Sequence, residues 1–479
     1  MGFPNVSLAA RPLIRPLGLG KVKWLALSLA AVSLFWTLFH SRSLFMGVIT
    51  QATTFGIDNG NPDYWTWETK SPFHDASRDP SSLVDEKCDS FPSELLSRVQ
   101  VVLKIGSTES KTRVQTHLAS VTRCISNLLI VSDLETELNG HRVHDVLADL
   151  PASARDNIID FEAYNAIHDG ASDVPGGEGW RLDRFKFLPM VERAKTANPT
   201  ADWFVFLETD TYMVWDNLFR FLAKFNPSTP MYMGSPSPGF ALENEERVWF
   251  AYGGAGFVLS RGAINILTER KKNRKGEFLE PSLSEKYMDV VATDCCGDSV
   301  LGYALHQKGV SLTGLWPMFN AHALHSIPFD EVHWCQPVIS LHKSLLSDMT
   351  GLAKWESQRD RKEPLLYADL MEYLGLGQLD VLPRWDNADW GGYINPPESP
   401  AHQSLAACRQ ACHESDTCLS FTYDSGGSCA FGRGIRLGGA KTDPNTLSAG
   451  WDNEKIMAWK SAHRCEKPIW VKPSVTRIF

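Results

Sequence analysis

The stretch Asp202-Trp203-Phe204-Val205-Phe206-Leu207-Glu208-Thr209-Asp210-Thr211 runs nearly all apolar through Leu207 and then meets two carboxylates one residue apart. Apolar residues on both alternating faces predict a strand covered on both sides of a sheet. Residues 99–105 (Val-Gln-Val-Val-Leu-Lys-Ile) and 127–132 (Asn-Leu-Leu-Ile-Val-Ser) are also strand-like, and between them 111–124 has helical spacing. This order, continued from about 91 to 345, predicts an α/β domain with a mainly parallel sheet. Such sheets bind ligands beyond the carboxyl ends of their strands. Glu208 and Asp210 fall at that edge, and strand alternation turns both to the same side.

Oxygen ligands of this kind suit Mn²⁺ or Mg²⁺, ions that also take diphosphate oxygens. An acid-x-acid pair alone is more often a solvated turn, and its place directly after a buried-type strand raises the functional reading to equal weight. A second feature is residues 250–260, Phe-Ala-Tyr-Gly-Gly-Ala-Gly-Phe-Val-Leu-Ser. Its glycines permit close backbone approach, but it matches neither a P-loop nor a dinucleotide fingerprint. Alone it reads as a tight turn before a strand. The third is residues 294–302, Asp-Cys-Cys-Gly-Asp-Ser-Val-Leu-Gly, which open a helix-like segment. Asp298 there is either an acid stabilised by the helix dipole or a general base. Downstream lie Asn320, His322, His325, His333 and His342; a single histidine is ordinarily structural, but a cluster after an acid pair carries more weight.

Taken in order, strand with acid-x-acid, then Tyr-Gly-Gly-Ala-Gly-Phe, then Cys-Gly-Asp-Ser-Val-Leu-Gly, then Phe-Asn-Ala-His, the set resembles the fringe and core 1 β-1,3-galactosyltransferase relatives, above all their fungal members. These are inverting glycosyltransferases of the GT-A fold. The resemblance covers about 95–345, and four ordered motifs are far more specific than one. It implies metal binding at Glu208 and Asp210, with Asp210 the direct ligand, Glu208 acting through water or the ribose, and His322 as the metal-ligating histidine. His342 is the reserve. It implies that Asp298 is the catalytic carboxylate, and that Glu208, Thr209, Asp210 and the loop of Gly253, Gly254, Ala255 and Gly256 lie along the donor. Lys104, Thr108 and Arg113, after the first strand, and Lys186 in the 180–186 stretch are candidates to contact the UDP-sugar; for these a solvated helix face is an equal reading. Two departures stand out. Many relatives carry Asp-Asp-Asp where this chain has Glu208-Thr209-Asp210, and Gly297 replaces an acidic residue before Asp298.

Composition bounds the rest. The 479 residues suit two or three folded units, and 43% hydrophobic with 22% charged residues is ordinary globular composition. A net charge of −9 argues against a nucleic-acid partner. Residues 24–39 form an apolar run preceded by Arg11, Arg15, Lys21 and Lys23, with no acidic residue before Asp58. This predicts a type II signal anchor at 24–40 with a cytosolic tail at 1–23. The competing reading is a cleaved signal peptide, whose apolar region usually runs about 7–15 residues. A short span fits a thin early-secretory bilayer, so the expected location is the Golgi or ER membrane with a lumenal catalytic domain. The one sequon, at Asn5, is then cytosolic, and no lumenal N-glycan is expected.

Ten cysteines without repeating C-x-x-C pairs point to disulfides rather than structural zinc. Residues 41–87 read as a stem, with Trp65 and Trp67 as docking candidates, 88–375 as the glycosyltransferase domain, and 376–400 as a linker. Residues 401–470 read as a cysteine-rich module in which Cys408 and Cys412 share one helix face. That module resembles the PAN/apple fold, which implies Cys408–Cys429 and Cys412–Cys418 pairing and binding of protein or carbohydrate. The expected activity is transfer of a hexose or N-acetylhexosamine from a UDP-sugar to a glycan or glycoprotein hydroxyl, with a β-1,3 linkage implied. The alternatives are a degenerate binding protein on the same scaffold and a metallohydrolase using the acid and histidine set.

Overall fold

The computed structural model describes residues 69–74, 88–151, 155, 158–170, 175–442 and 446–478. The expected anchor at 24–40, Trp65, Trp67 and Asn5 lie outside them. Among the described residues no helix is long and apolar enough to cross a membrane.

The first part of the chain contains strands β1 (Val99–Lys104), β2 (Leu129–Ser132), β3 (Thr136–Leu138), β4 (His141–Asp145), β5 (Trp203–Glu208), β6 (Tyr212–Met213), β7 (Tyr232–Gly234), β8 (Pro236–Ala241), β9 (Arg247–Ala251), β10 (Phe257–Ser260), β11 (Leu312–Gly314), β12 (Phe319–Asn320) and β13 (Ser340–Leu341). Eight of them form one sheet in the order β11-β7-β10-β5-β1-β2-β4-β3. β5 is buried through Leu207 because both its faces are covered. β5, β1, β2 and β4 run parallel, with Lys104 of β1 beside Glu208 of β5. The sheet is nevertheless mixed, since β10 is antiparallel to β5 and β7, and β3 to β4. Phe257 of β10 stacks on Phe206 of β5 at 4.6 Å between ring centroids.

The helix Asp183–Ala197 packs on β1 and β2 and against the helix Gly297–Gln307. The helix expected over 111–124 ends at Ala119. A small sheet, β12-β13-β6, ties the chain just after the acid pair to the strand before His342. The described part of the expected stem is docked: the Ser71 hydroxyl donates to Asp216 Oδ1 at 2.5 Å, and Phe73 meets the edge of Phe91.

The C-terminal module holds β14 (Leu382–Pro383), β15 (Trp385–Asp386), β16 (Gly392–Ile394), β17 (Ser420–Asp424), β18 (Ser428–Gly432), β19 (Gly439–Ala440) and β20 (Leu447–Trp451). Its main sheet runs β14-β20-β17-β18-β16. Residues 376–400 therefore contribute strands and are not a linker; the short pieces β14, β15 and β16 lack periodicity because two or three residues are enough to pair along an existing edge. The helix Leu405–Glu414 is stapled by Cys408–Cys429 and Cys412–Cys418, as the resemblance implies. Cys88–Cys124, Cys295–Cys296 and Cys335–Cys465 complete the pairing.

After the module the chain returns to the α/β domain. Trp470 is buried and stacks on Phe221 at 5.7 Å, and Ser474 N–H donates to the Gly314 carbonyl at 2.9 Å. Trp470→Ala should therefore cost about 3–5 kcal/mol, as cavity-forming aromatic truncations do. Urea unfolding followed by tryptophan fluorescence checks this, and an unchanged midpoint would show that the tail contributes little.

Candidate active site

The parallel order brings the ends of β1, β2 and β5 to one edge, and charged residues cluster there. Lys104, the last residue of β1, is buried and pairs with Asp183 at 2.9 Å and Glu208 at 3.2 Å. Lys186, one helical turn beyond Asp183, has no exposed surface and pairs with Asp183 at 2.9 Å and Asp133 at 2.7 Å. It also donates to the Ile105 carbonyl at 3.0 Å. Burial opposes every one of these charges, but mutual pairing wins. Lys186 and Lys104 hold the Asp183 carboxyl far below the usual range, Lys186 lowers Asp133, and Glu208 and Asp183 raise Lys104.

In front of this network lies a cleft of about 400 Å³, lined by Lys104, Gly106, Glu109, Arg113, Asp183, Glu208, Thr209 and Asp210 among others. The acid turn beside it is tightly pinned. Thr211 N–H donates to the Glu208 carbonyl, and Thr211 Oγ1 both accepts from Glu208 N–H at 3.1 Å and donates to the Gly254 carbonyl at 2.7 Å. Thr209 donates its hydroxyl to Glu109, whose carboxyl burial pushes up.

β6 follows the acid turn and pairs with β13, placing Tyr212 opposite Leu341. That register carries His342 to Asp210, with Nε2 3.4 Å from Oδ1. Burial raises the Asp210 carboxyl, but His342 and then Arg113, 3.7 Å away, outweigh it and hold the group below its usual range. Glu208, Asp210 and His342 offer ligand atoms all within 4.8 Å of one another. Two carboxylate oxygens and an imidazole nitrogen form a donor set suited to Mn²⁺ or Mg²⁺. His342 Nδ1 is buried and makes no hydrogen bond.

Asp298, the second residue of the helix Gly297–Gln307, closes the other side. Its Oδ2 accepts from Gly253 N–H at 2.8 Å and its Oδ1 from Ser299 N–H at 2.9 Å. Burial pushes its carboxyl up to about 6; the Gly253 N–H opposes the shift and the nearby Glu208 charge adds to it. Tyr252 lies within the field of Glu208, Asp298 and Asp210, and its ring meets the edge of His342 at 5.3 Å.

The glycine loop is what lets the two halves meet. A Cβ at Gly254 would stand 2.2 Å from His342 Nε2, and one at Gly253 would stand 2.8 Å from the Phe187 ring. Gly256 has φ +73°, and Ala255 accepts from the Ser340 hydroxyl at 2.5 Å. Gly297 admits no acidic side chain, since a Cβ there would lie 2.2 Å from the Arg184 carbonyl.

Two assignments change. His322 is not part of the acid and histidine group; its backbone N–H is capped by Asn320, and its ring packs 5.3 Å from Trp390 of the C-terminal module. The reserve residue His342 is the one that β13 places beside Asp210. Lys186 does not line the cleft but sits behind it with all its donors engaged. Asp183, within the 180–186 stretch, does line the cleft, whereas Asp133 and Glu109 were not among the candidates. Asp133 follows a buried strand directly, the same signal that marks Glu208; Glu109 carries no comparable mark.

Residues 183–352 match the family model described as Fringe-like, and residues 386–436 match the PAN domain. The chain is 26% identical over 155 residues to the β-1,3-N-acetylglucosaminyltransferase lunatic fringe of Xenopus laevis, covering 30% of this chain and 39% of that protein. It is 29% identical over 154 residues to the radical fringe enzyme of Notophthalmus viridescens, covering 30% of this chain and 36% of the relative. The chain thus spans about two fifths of the length of the curated relatives it matches. It carries a Fringe-like domain and a PAN domain, the first homologous to these transferases.

The buried network makes a stability prediction. Lys186→Met leaves Asp133 and Asp183 without a shared cation and should cost about 3–5 kcal/mol. Arg113→Met, at the rim with a half-exposed side chain, should change stability by less than about 1 kcal/mol. Urea denaturation of both variants checks the contrast; equal losses would contradict it.

Proposed function

We propose that this chain is a divalent-metal-dependent, inverting glycosyltransferase acting from a UDP-sugar onto a glycan or glycoprotein hydroxyl. The observation that carries this reading is the glycine pair 253–254. Gly253 N–H holds the base candidate Asp298, while Gly254 lies against His342 of the acid and histidine group. A proton acceptor and a cation-binding set thus face one another across two residues, which is what displacement at an anomeric carbon between an acceptor and a diphosphate requires.

Glu208, Asp210 and His342 would hold the ion, which when bound would neutralise the diphosphate. Arg113 and the Gly106 loop line the cleft where a nucleotide diphosphate would lie. Asp298 takes the proton of the acceptor hydroxyl. The hydroxyl oxygen bonds to the anomeric carbon from the face opposite the nucleotide, and the carbon–oxygen bond to the diphosphate breaks with its electron pair leaving on UDP. An inverted anomer results. The kinship with β-1,3-N-acetylglucosaminyltransferases favours an N-acetylhexosamine or hexose donor and a β-1,3 product.

The same reading places the enzyme in the Golgi or ER lumen behind a type II anchor at 24–40, with the PAN domain free to bind protein or carbohydrate. Five disulfides with no free cysteine among the described residues suit an oxidising lumen.

UDP binding measured by calorimetry with and without Mn²⁺ is the primary test. Affinity that depends on the metal, is lost in His342→Ala and is kept in His322→Ala supports the assignment; metal-independent binding or none sinks it. Asp298→Asn should lower kcat by roughly 10²–10⁴ and leave UDP–Mn²⁺ affinity unchanged. Because a base must be ionised, turnover should fall as pH drops through about 6 in the wild-type enzyme. Initial rates from pH 5 to 8 read this limb directly, and a flat profile would argue against Asp298 as the base.

A further inference from the structure

Cys295 and Cys296 are bonded to each other. A disulfide stabilises a fold chiefly by closing a chain loop in the unfolded state, and the effect grows with loop length. At a sequence separation of 1 there is no such loop to close, so this bridge is not a folding staple. Its exposure also sets it apart. Of the ten cysteines only Cys295 is exposed; the others are buried or half-buried. The bridge instead makes a small covalent ring of two sulfurs and backbone, fixed at the surface.

The ring lies on a rigid loop that leads into the base. Asp294 N–H bonds back to the Val290 carbonyl, the Asp294 carbonyl accepts from Arg184 at 2.6 Å, and Cys296 N–H donates to Asp294 Oδ1 at 2.9 Å. Gly297 follows, pressed onto the Arg184 carbonyl, and then Asp298. The ligand atoms of Asp294, Cys295 and Cys296 all lie within 4.8 Å of one another. Asp294 Oδ2 is 3.5 Å from the hydroxyl of Ser299, the residue after the base. An exposed, polarisable apolar surface thus stands beside a carboxylate, on the loop that leads directly into Asp298.

That pairing has the chemistry of a pyranose: a C–H face that packs on apolar surface and a rim of hydroxyls that donate to a carboxylate. We infer that the Cys295–Cys296 ring and Asp294 form the platform on which the acceptor sugar rests while Asp298 faces its reacting hydroxyl. The inference rests on the transferase reading above and names the acceptor side of that site. A pair of free thiols would not substitute, because two independent side chains would each have to be ordered on binding, whereas the ring is ordered beforehand.

The test uses the full chain loaded with UDP and Mn²⁺, titrated by saturation-transfer NMR with p-nitrophenyl α- and β-glycosides of galactose, glucose, mannose and N-acetylglucosamine. The wild-type protein should bind at least one of them. Cys295→Ala/Cys296→Ala should weaken that affinity about tenfold, the loss of a small apolar contact. Asp294→Asn keeps the ring and guards against misfolding of the double variant; it should weaken binding as well. Calorimetric UDP–Mn²⁺ affinity is read in parallel. Glycoside binding without UDP binding would remove the transferase reading and leave the platform standing. UDP binding with no glycoside bound, or with wild-type glycoside affinity in both variants, would overturn the platform.

Discussion

One line of alternating charge runs behind the cleft: Asp133, Lys186, Asp183, Lys104 and Glu208, each within 3.2 Å of an opposite charge. It joins the ends of β1 and β5, the residue after β2 and the start of the helix Asp183–Ala197. Burying any of these groups alone would be prohibitive, so each enforces the place of the next. The line has two cations and three anions, and its surplus falls at the cleft end on Glu208. Glu208 is already partly neutralised by Lys104, whereas Asp210 stands outside the line with only His342 and the distant Arg113 beside it. That division favours Asp210 as the direct metal ligand in the proposed chemistry and gives Glu208 a share in structure.

The line fixes one wall, and glycine fixes the distance to the other. At Gly253, Gly254 and Gly297 a single added carbon would collide with Phe187, His342 or the Arg184 carbonyl. These are close approaches rather than flexible hinges. They explain why Gly297 stands where an acidic neighbour of the base was expected. With no carboxylate there, the Asp298 shift comes from burial first and from Glu208 across the site.

How much of this was legible follows from what each feature needs. β5 buries both faces, so its apolar run announces it, and the acids that follow are found with it. Asp298 was found because it sits in an ordered motif. His342 was harder, since its role depends on β6 and β13, two-residue strands whose pairing leaves no periodic trace. His322 fitted the motif spacing better, yet spacing along a chain does not fix direction in space. Lys186 was a candidate donor contact from its place in the 180–186 stretch; only three-dimensional neighbours reveal that its charge is used internally. The antiparallel direction of β10 was not legible because a buried apolar strand reads alike in either direction. Cysteine count predicted disulfides, but partners 130 residues apart, as in Cys335–Cys465, carry no sequence signal.

That last bridge bears on His322. Cys335–Cys465 closes a long loop, worth on the order of 4–5 kcal/mol in the chain-entropy view, and holds the end of the module's last helix to the α/β domain. Phe329 pairs with Ile435, and Gly438 N–H donates to the His325 carbonyl at 2.9 Å. Trp390 reaches His322 at the same seam, with the Arg436 guanidinium over the Trp390 ring. The module is thus a fixed wall rather than a tethered accessory, and a histidine packed into that wall is not available to the cleft. Burial lowers the His322 imidazole to about 4, so it stays neutral through the physiological range. A neutral ring in a domain seam brings no buried charge that would need a counter-ion. His322 thus stands in the seam between the two domains, apart from the group of Glu208, Asp210 and His342.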